Sequence, residues 1–248
     1  MAAQAHNVWL LPSTTVLSKA DWITVDAAVS NDLFYFNHVP LNLENLLITA
    51  PDGKSVEAQN MHKGKLRSVF DAHLTQTGTY RLAVSSDSLF ASYKDTEGKN
   101  KRWRGTEASF KEMPADAVDV KVFQTQNRFE TFVTLGKPTP LHFTGKGLEL
   151  VPVTPLSDLV SGETASFIFH VDGKPIANME VLLLAGATRY RDQKNEIKVT
   201  TDAKGQFSVR WPTAGMYWVD ADSEDDKVTL KHATVRRMSY VATLEVLP

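Results

Sequence analysis

Cysteine is missing altogether from this chain of 248 residues. Its absence excludes disulfides, thiolate metal sites, iron–sulfur clusters and cysteine nucleophiles. Any metal would have to be held by histidine, carboxylate, methionine or backbone donors. A charge excess is missing too: 27 Lys and Arg against 29 Asp and Glu give a net charge of −2. Nucleic-acid binding needs a basic face that displaces counterions, so no nucleic-acid partner is expected. No apolar run approaches the roughly 18 residues of a membrane-spanning helix, so the chain is not expected to span a membrane. HExxH, GxSxG, GxGxxG and P-loop signatures are also lacking, and nothing in the sequence specifies an enzyme.

What the chain does contain is strand after strand. Trp22–Val29 is rich in β-branched residues and partly alternating, as a half-buried strand would be. Further strands are expected at Leu46–Thr49, Arg67–Leu74, Thr79–Val84, Val118–Phe123 and Thr131–Thr134. Turn signals recur about every ten residues, and no long stretch has a clean helical period, which together indicate β-sandwiches.

An internal repeat sharpens this. FDAHLTQTGTYRLAV from Phe70 and FSVRWPTAGMYWVDA from Phe207 align Phe70 with Phe207, Gly78 with Gly215 and Tyr80 with Tyr217 at one constant spacing. Each copy follows an Asp-Gly-Lys turn, Asp52–Lys54 or Asp172–Lys174. The pattern is that of a late immunoglobulin-like hairpin, in which a buried Tyr hydroxyl pins a corner to backbone. The expected fold is therefore all-β, with two tandem immunoglobulin-like β-sandwich domains. The N-terminal domain is placed at 6–144, with an irregular insertion over Ser92–Pro114. A proline-bearing linker follows at 145–160, and the C-terminal domain at 161–248.

Ala3-Gln4-Ala5 puts small residues where a signal peptidase cuts, with cleavage then falling before His6. The expectation is an exported, periplasmic protein.

His6-Asn7-Val8-Trp9-Leu10-Leu11-Pro12 resembles the opening of the DUF4198 family of exported bacterial proteins. Gly147–Pro152, Gly173–Ile176 and Thr201–Gly205 resemble that family's second half. The resemblance covers nearly the whole chain. It implies export, two immunoglobulin-like domains and, through a relation to NikM-like components of nickel and cobalt uptake, a role in metal handling. The second domain alone also resembles carboxypeptidase-regulatory or transthyretin-like modules, in its Gly-Lys-Pro turn and its Thr-Asp-x-x-Gly-x-Phe hairpin at 201–207.

Neutral imidazole is the commonest nitrogen donor for Ni, Co, Cu and Zn. Four histidines, His6, His38, His62 and His73, lie in the first half of the first domain and are the candidate metal ligands. A freed N-terminus at His6 would add an amine to its imidazole. His73 alternates with Asp71, so the two share a strand face. The plainer readings are a turn for His38, a solvated loop for His62 and a surface pair for His73. His142, His170 and His232 are assigned no role. Asp222–Asp226 suggests weak Ca²⁺ binding or a solvated hairpin tip. Lys99–Arg104 suggests contact with an anionic ligand or lipid headgroup, or a solvated loop.

The sequence thus leads to a non-enzymatic periplasmic protein that binds a divalent transition metal and assists its uptake. Its partner would be a membrane transport component or outer-membrane receptor. The alternative is a scaffold that docks on an envelope or receptor protein, and a copper-dependent oxidase has support only from His6.

Overall fold

The computed structural model describes residues 6–248. Ala3-Gln4-Ala5, the expected cleavage motif, lies outside the described residues. Nineteen strands run in chain order: β1 Asn7–Pro12, β2 Val16–Leu17, β3 Asp21–Ser30, β4 Val39–Pro40, β5 Leu46–Thr49, β6 Ser55–Val56, β7 Gln59–Lys63, β8 Ser68–Leu74, β9 Gly78–Lys94, β10 Asn100–Gly105, β11 Val118–Leu135, β12 Leu148–Pro152, β13 Thr164–Val171, β14 Lys174–Pro175, β15 Glu180–Ala185, β16 Ile197–Thr200, β17 Gln206–Arg210, β18 Gly215–Asp225 and β19 Val235–Val246.

Among the described residues the strands form three sheets. The largest has the order β16-β15-β18-β19-β11-β9-β5-β6, with β10 joined to β9 and β2 to β11. A second sheet is ordered β1-β3-β8-β7 with β4 on β3, and a third β12-β13-β14 with β17 on β13. The architecture is all-β and immunoglobulin-like, as expected. The two halves share the large sheet, because β19 lies beside β11.

By internal contacts the chain divides into two compact units. One runs to Val84, takes in Arg128–Ala221 and closes with Tyr240–Pro248; the other comprises Ser85–Asn127 and Asp222–Ser239. This division differs from the expected split at 145–160. Leu148–Pro152 is strand β12, paired with β13 from Leu148↔Val171 to Pro152↔Phe167, and Leu148, Glu149 and Leu150 are buried. The prolines misled because Pro152 ends its strand and Pro155 precedes a short 3-10 turn, where neither costs a ladder bond.

In the first unit, period-two alternation sends Ile23, Val25 and Ala27 of β3 and Phe70, Ala72 and Leu74 of β8 inward. There they meet Tyr80, Leu82 and Val84 of β9 and Val133 and Leu135 of β11. The C-terminal sandwich has an aromatic core: Phe167 and Phe169 stack on Phe207, while Trp211 packs edge-on to Tyr217 and Phe169 to Tyr240.

Both tyrosine corners form. The Tyr80 hydroxyl accepts hydrogen bonds from the Gln76 amide at 2.7 Å and the Thr75 amide at 3.2 Å. The Tyr217 hydroxyl donates to the Thr213 carbonyl at 3.0 Å. Gly78 enters its strand at φ +136°, and a Cβ there would sit 2.5 Å from Pro51, so no other residue fits without movement.

Buried charge crosses between the two halves. Arg81 and Glu130 approach at 3.9 Å and Arg81 and Glu149 at 3.4 Å, while Arg128 reaches Glu130 at 3.2 Å. Tyr240 donates to Glu130 at 2.9 Å, and the amides of Thr144 and Gly145 donate to Glu149 at 2.9 and 2.8 Å. Burial, reinforced by the Glu130 carboxylate, pushes the Tyr240 hydroxyl well above the usual phenolic range.

Removing one partner of a buried pair strands the other charge, typically at about 3–5 kcal/mol. Glu130→Ala is therefore expected to lower stability by that amount in urea denaturation. Tyr80→Phe loses both corner hydrogen bonds and should cost less, about 1–3 kcal/mol.

Candidate metal site

His6 and His38 are brought together by three strands. His6 precedes β1, whose Asn7 pairs with Ser30; His38 precedes β4, whose Val39 pairs with Val29. Both strands therefore flank the end of β3. The loop between β3 and β4 folds back on itself. The Asn37 side chain accepts from the Asn31 amide at 2.9 Å and donates to Asp32 at 2.7 Å, and Phe34 takes a left-handed φ of 63°.

Beneath this loop, Trp9 donates from Nε1 to the Ser30 hydroxyl at 2.8 Å. Trp9 also packs with Leu33, Leu184, Trp218 and Val241 in a buried cluster. Trp218 donates from its indole to the Val8 carbonyl at 2.9 Å, fixing β1 two residues from His6.

The imidazoles of His6 and His38 are stacked, with centroids 3.9 Å apart and planes within 1°. Both residues are exposed. Metal–imidazole bonds of about 2.0–2.1 Å place two nitrogens on one tetrahedral ion about 3.4 Å apart. The ring spacing is of that order. The nitrogen lone pairs lie in each ring plane, however, so parallel rings cannot aim at a common ion until the side chains turn. As they stand, the rings form a stacked pair, and both side chains would have to turn to share one ion.

His62 and His73 are placed elsewhere on the sheet, and the expected four-histidine set is corrected accordingly. His62 lies on β7, all of whose residues are exposed, opposite Val69 of β8. His73 lies opposite Trp22, and their rings stack at 4.7 Å. Asp71, on the same face, accepts from Thr24 at 2.7 Å and Asn60 at 2.8 Å, and these hydrogen bonds hold its carboxyl below the usual range. Asp71 is thus committed to neutral donors. Among the described residues, no group of three or more His, Asp or Glu side chains is gathered as a metal would require. His142 bonds through Nε2 with the Pro51 carbonyl at 3.0 Å, and His232 stacks on Phe110 at 4.1 Å.

Two charged runs also find their places, both in the second unit. Ser92–Pro114 is not irregular throughout: β10 pairs with β9 from Asn100↔Lys94 to Gly105↔Leu89. Its alternation is concealed because only Trp103 on it turns to the apolar cluster of Leu89, Ala91 and Val122. Nor is Asp222–Asp226 simply a hairpin tip or a calcium loop. Asp225, the last residue of β18, accepts from Arg236 Nε at 2.9 Å and Nη2 at 2.6 Å, and Glu224 pairs with Arg237 at 2.8 Å.

The buried charges of Arg81, Glu130 and Glu149, with the half-buried Arg128, have little signal in the sequence. Their only signal was an acidic residue set inside apolar strand segments, Phe129-Glu130-Thr131-Phe132 and Leu148-Glu149-Leu150.

Hydrogen bonding from Arg236, the largest cause, holds the Asp225 carboxyl below its ordinary value. A depressed carboxylate contributes stability that is present above the unfolded value, about pH 3.9, and is lost as pH falls through the folded one. Asp225→Asn should therefore flatten the fall in urea midpoint below about pH 4. The check is a set of urea titrations from neutral pH downward on both proteins.

None of the curated proteins matches the chain. Solved structures that match include the D0-D1 domain of intimin, 11% identical over 96% of this chain and 97% of that one, with a TM-score of 0.24. A two-domain fibronectin type III segment of chicken tenascin is 13% identical over 95% and 98% of the two chains, at 0.22. A DUF4785 family protein of Legionella pneumophila is 10% identical over 86% and 50%, at 0.25. Superpositions this loose carry no functional inference. Residues 3–225 match the family model described as a domain of unknown function, DUF4198, and the chain belongs to that family.

Proposed function

We propose that this is an exported, non-enzymatic protein that captures a divalent transition metal at His6 and His38 and passes it to a membrane transport component or outer-membrane receptor. The observation that carries the reading is the imidazole pair at 3.9 Å, set on a strand end braced by Trp9 and Trp218.

Two neutral nitrogen donors suit Ni, Co, Cu or Zn and leave the remaining positions for water or a further donor. Cleavage before His6 would supply that donor as a free amine next to its imidazole. A site with few protein ligands favours transfer, because a partner's ligands can replace the waters without first displacing the protein. A role in nickel or cobalt uptake, of the NikM-like kind, is consistent with this donor set.

The scaffold reading would use an open sheet edge, and β7 is one such edge, with β1 at the other side of the same sheet. Its pairing with β8 shifts register between Gln59 and His62, and Asn60 takes a φ of 50°. Such an irregularity blunts strand addition at that edge, and the imidazole pair is the observation that favours metal capture.

Calorimetric titration of Ni²⁺, Co²⁺, Cu²⁺ and Zn²⁺ into protein beginning at His6 tests the proposal. Binding of one ion per chain is expected, weakened at least tenfold, about 1.4 kcal/mol, by His6→Ala or His38→Ala. His62→Ala and His73→Ala should bind as the parent does. Affinity indifferent to His6 and His38 would sink the reading.

A further inference from the structure

The second compact unit holds an apolar cluster and a cleft of about 1100 Å³ lined by residues of β9, β10 and β11 at 92–94, 100–102 and 119–121. Leu89 and Ala91 of β9, Val122 of β11 and Trp103 of β10 turn to that cluster. Strand alternation therefore places Ser92 and Lys94, Lys121, and Arg102 and Arg104 on the other side. Arg102 pairs directly with Ser92 in the β9–β10 ladder. The cross-strand pairs Lys94–Asp119, at 2.6 Å, and Ser88–Thr125, at 2.9 Å, fix the antiparallel register of β9 and β11 and set Lys121 opposite Ser92 on its other side. Arg102, Ser92 and Lys121 thus form one row across three strands, with their outer Cα atoms about 9.6 Å apart.

The charge balance of the cleft is one-sided. Its walls include Lys94, Lys101, Arg102 and Lys121 against a single carboxylate, Asp119, which Lys94 already pairs. Lys101 is paired with Asp95 at 3.4 Å. None of the ion pairs found among the described residues includes Arg102, Arg104 or Lys121. An ordinary solvated face intersperses the two signs, whereas here Asp119 answers both Lys94 and Lys121, and Arg102 beside Ser92 enters none of the ion pairs among the described residues.

We infer that this cleft binds a ligand carrying phosphate or comparable multiple negative charge, with Arg102 and Lys121 closing on the anion from either side and Ser92 donating from the floor between them. Arg102 supplies a planar, two-pronged donor suited to phosphate, and Lys121 a point charge. The proposal is independent of the histidine pair. The same chemistry is offered by a soluble phosphorylated compound and by an anionic lipid headgroup.

The test is calorimetric titration of pyrophosphate into the full chain at low ionic strength, with sedimentation alongside phosphatidylglycerol or phosphatidylcholine vesicles. Saturable binding is expected, weakening as salt is raised and falling at least tenfold in the Arg102→Ala/Lys121→Ala double variant. Both side chains are exposed, so that variant should keep the parent's circular dichroism and urea midpoint. Lys227→Ala, an exposed cation outside the cleft, should bind as the parent does. Phosphatidylglycerol-selective sedimentation lost in the double variant, without pyrophosphate binding, would assign the anion to a headgroup. The proposal fails if neither probe binds, if the double variant binds as the parent does, or if Lys227→Ala loses as much.

Discussion

Arg81, Glu130 and Glu149 are taken out of water where β9, β11 and β12 meet, the half-buried Arg128 joins them, and Tyr240 of β19 closes the group. Desolvating such charges costs several kcal/mol per ion, so the cluster persists only because its hydrogen bonds are nearly complete. The Glu149 oxygens take backbone amides from Thr144 and Gly145, and Glu130 takes the tyrosine hydroxyl. Arg81 Nε alone among the cluster's buried atoms has no hydrogen-bond partner. A one-residue slip of any contributing strand would turn its charge to the opposite face. The cluster therefore acts as a register lock on the sheet that both sandwiches share.

The histidine pair sits on a neighbouring sheet, at the end of β3. The sheet holding β1 and β3 packs on β9 and β11 through Leu10, Ile23, Val25 and Ala27. From the C-terminal half, Trp218 reaches the Val8 carbonyl and joins Trp9 in one buried cluster. A donor pair on a sheet end braced from both halves loses less entropy on binding than one on a free tail. In the proposed capture, the strands locate the imidazoles and the side-chain rotations would be left for the metal to fix.

Much of the fold was legible because its signals are local. Period-two alternation marked β3 and β8, and the recurring Phe, Gly and Tyr of the two hairpins announced both tyrosine corners before any contact was known. Where the reading failed, the deciding interaction was distant in sequence. Leu148–Pro152 looked like a linker because its prolines are visible locally, while its partner strand β13 is not. β10 looked irregular because charged residues occupy every position but that of Trp103 and the two ends. Of the four candidate ligands, His6 and His38 meet only through a loop that folds back across the end of β3, and nothing in the spacing separates them from His62 and His73. The buried glutamates could have been suspected, since a charge within Phe-Glu-Thr-Phe or Leu-Glu-Leu needs a partner, but the arginines that answer them lie on other strands.

Metal capture as proposed requires His6 and His38 to act as one site. Nitrogen-15 spectra of the imidazoles, recorded while Zn²⁺ is added to one equivalent, would read each ring separately. The account predicts that the His6 and His38 ring nitrogens shift together and saturate at one equivalent, with His62 and His73 unmoved. Shifts confined to His62 or His73, or no shift at any ring, would contradict it.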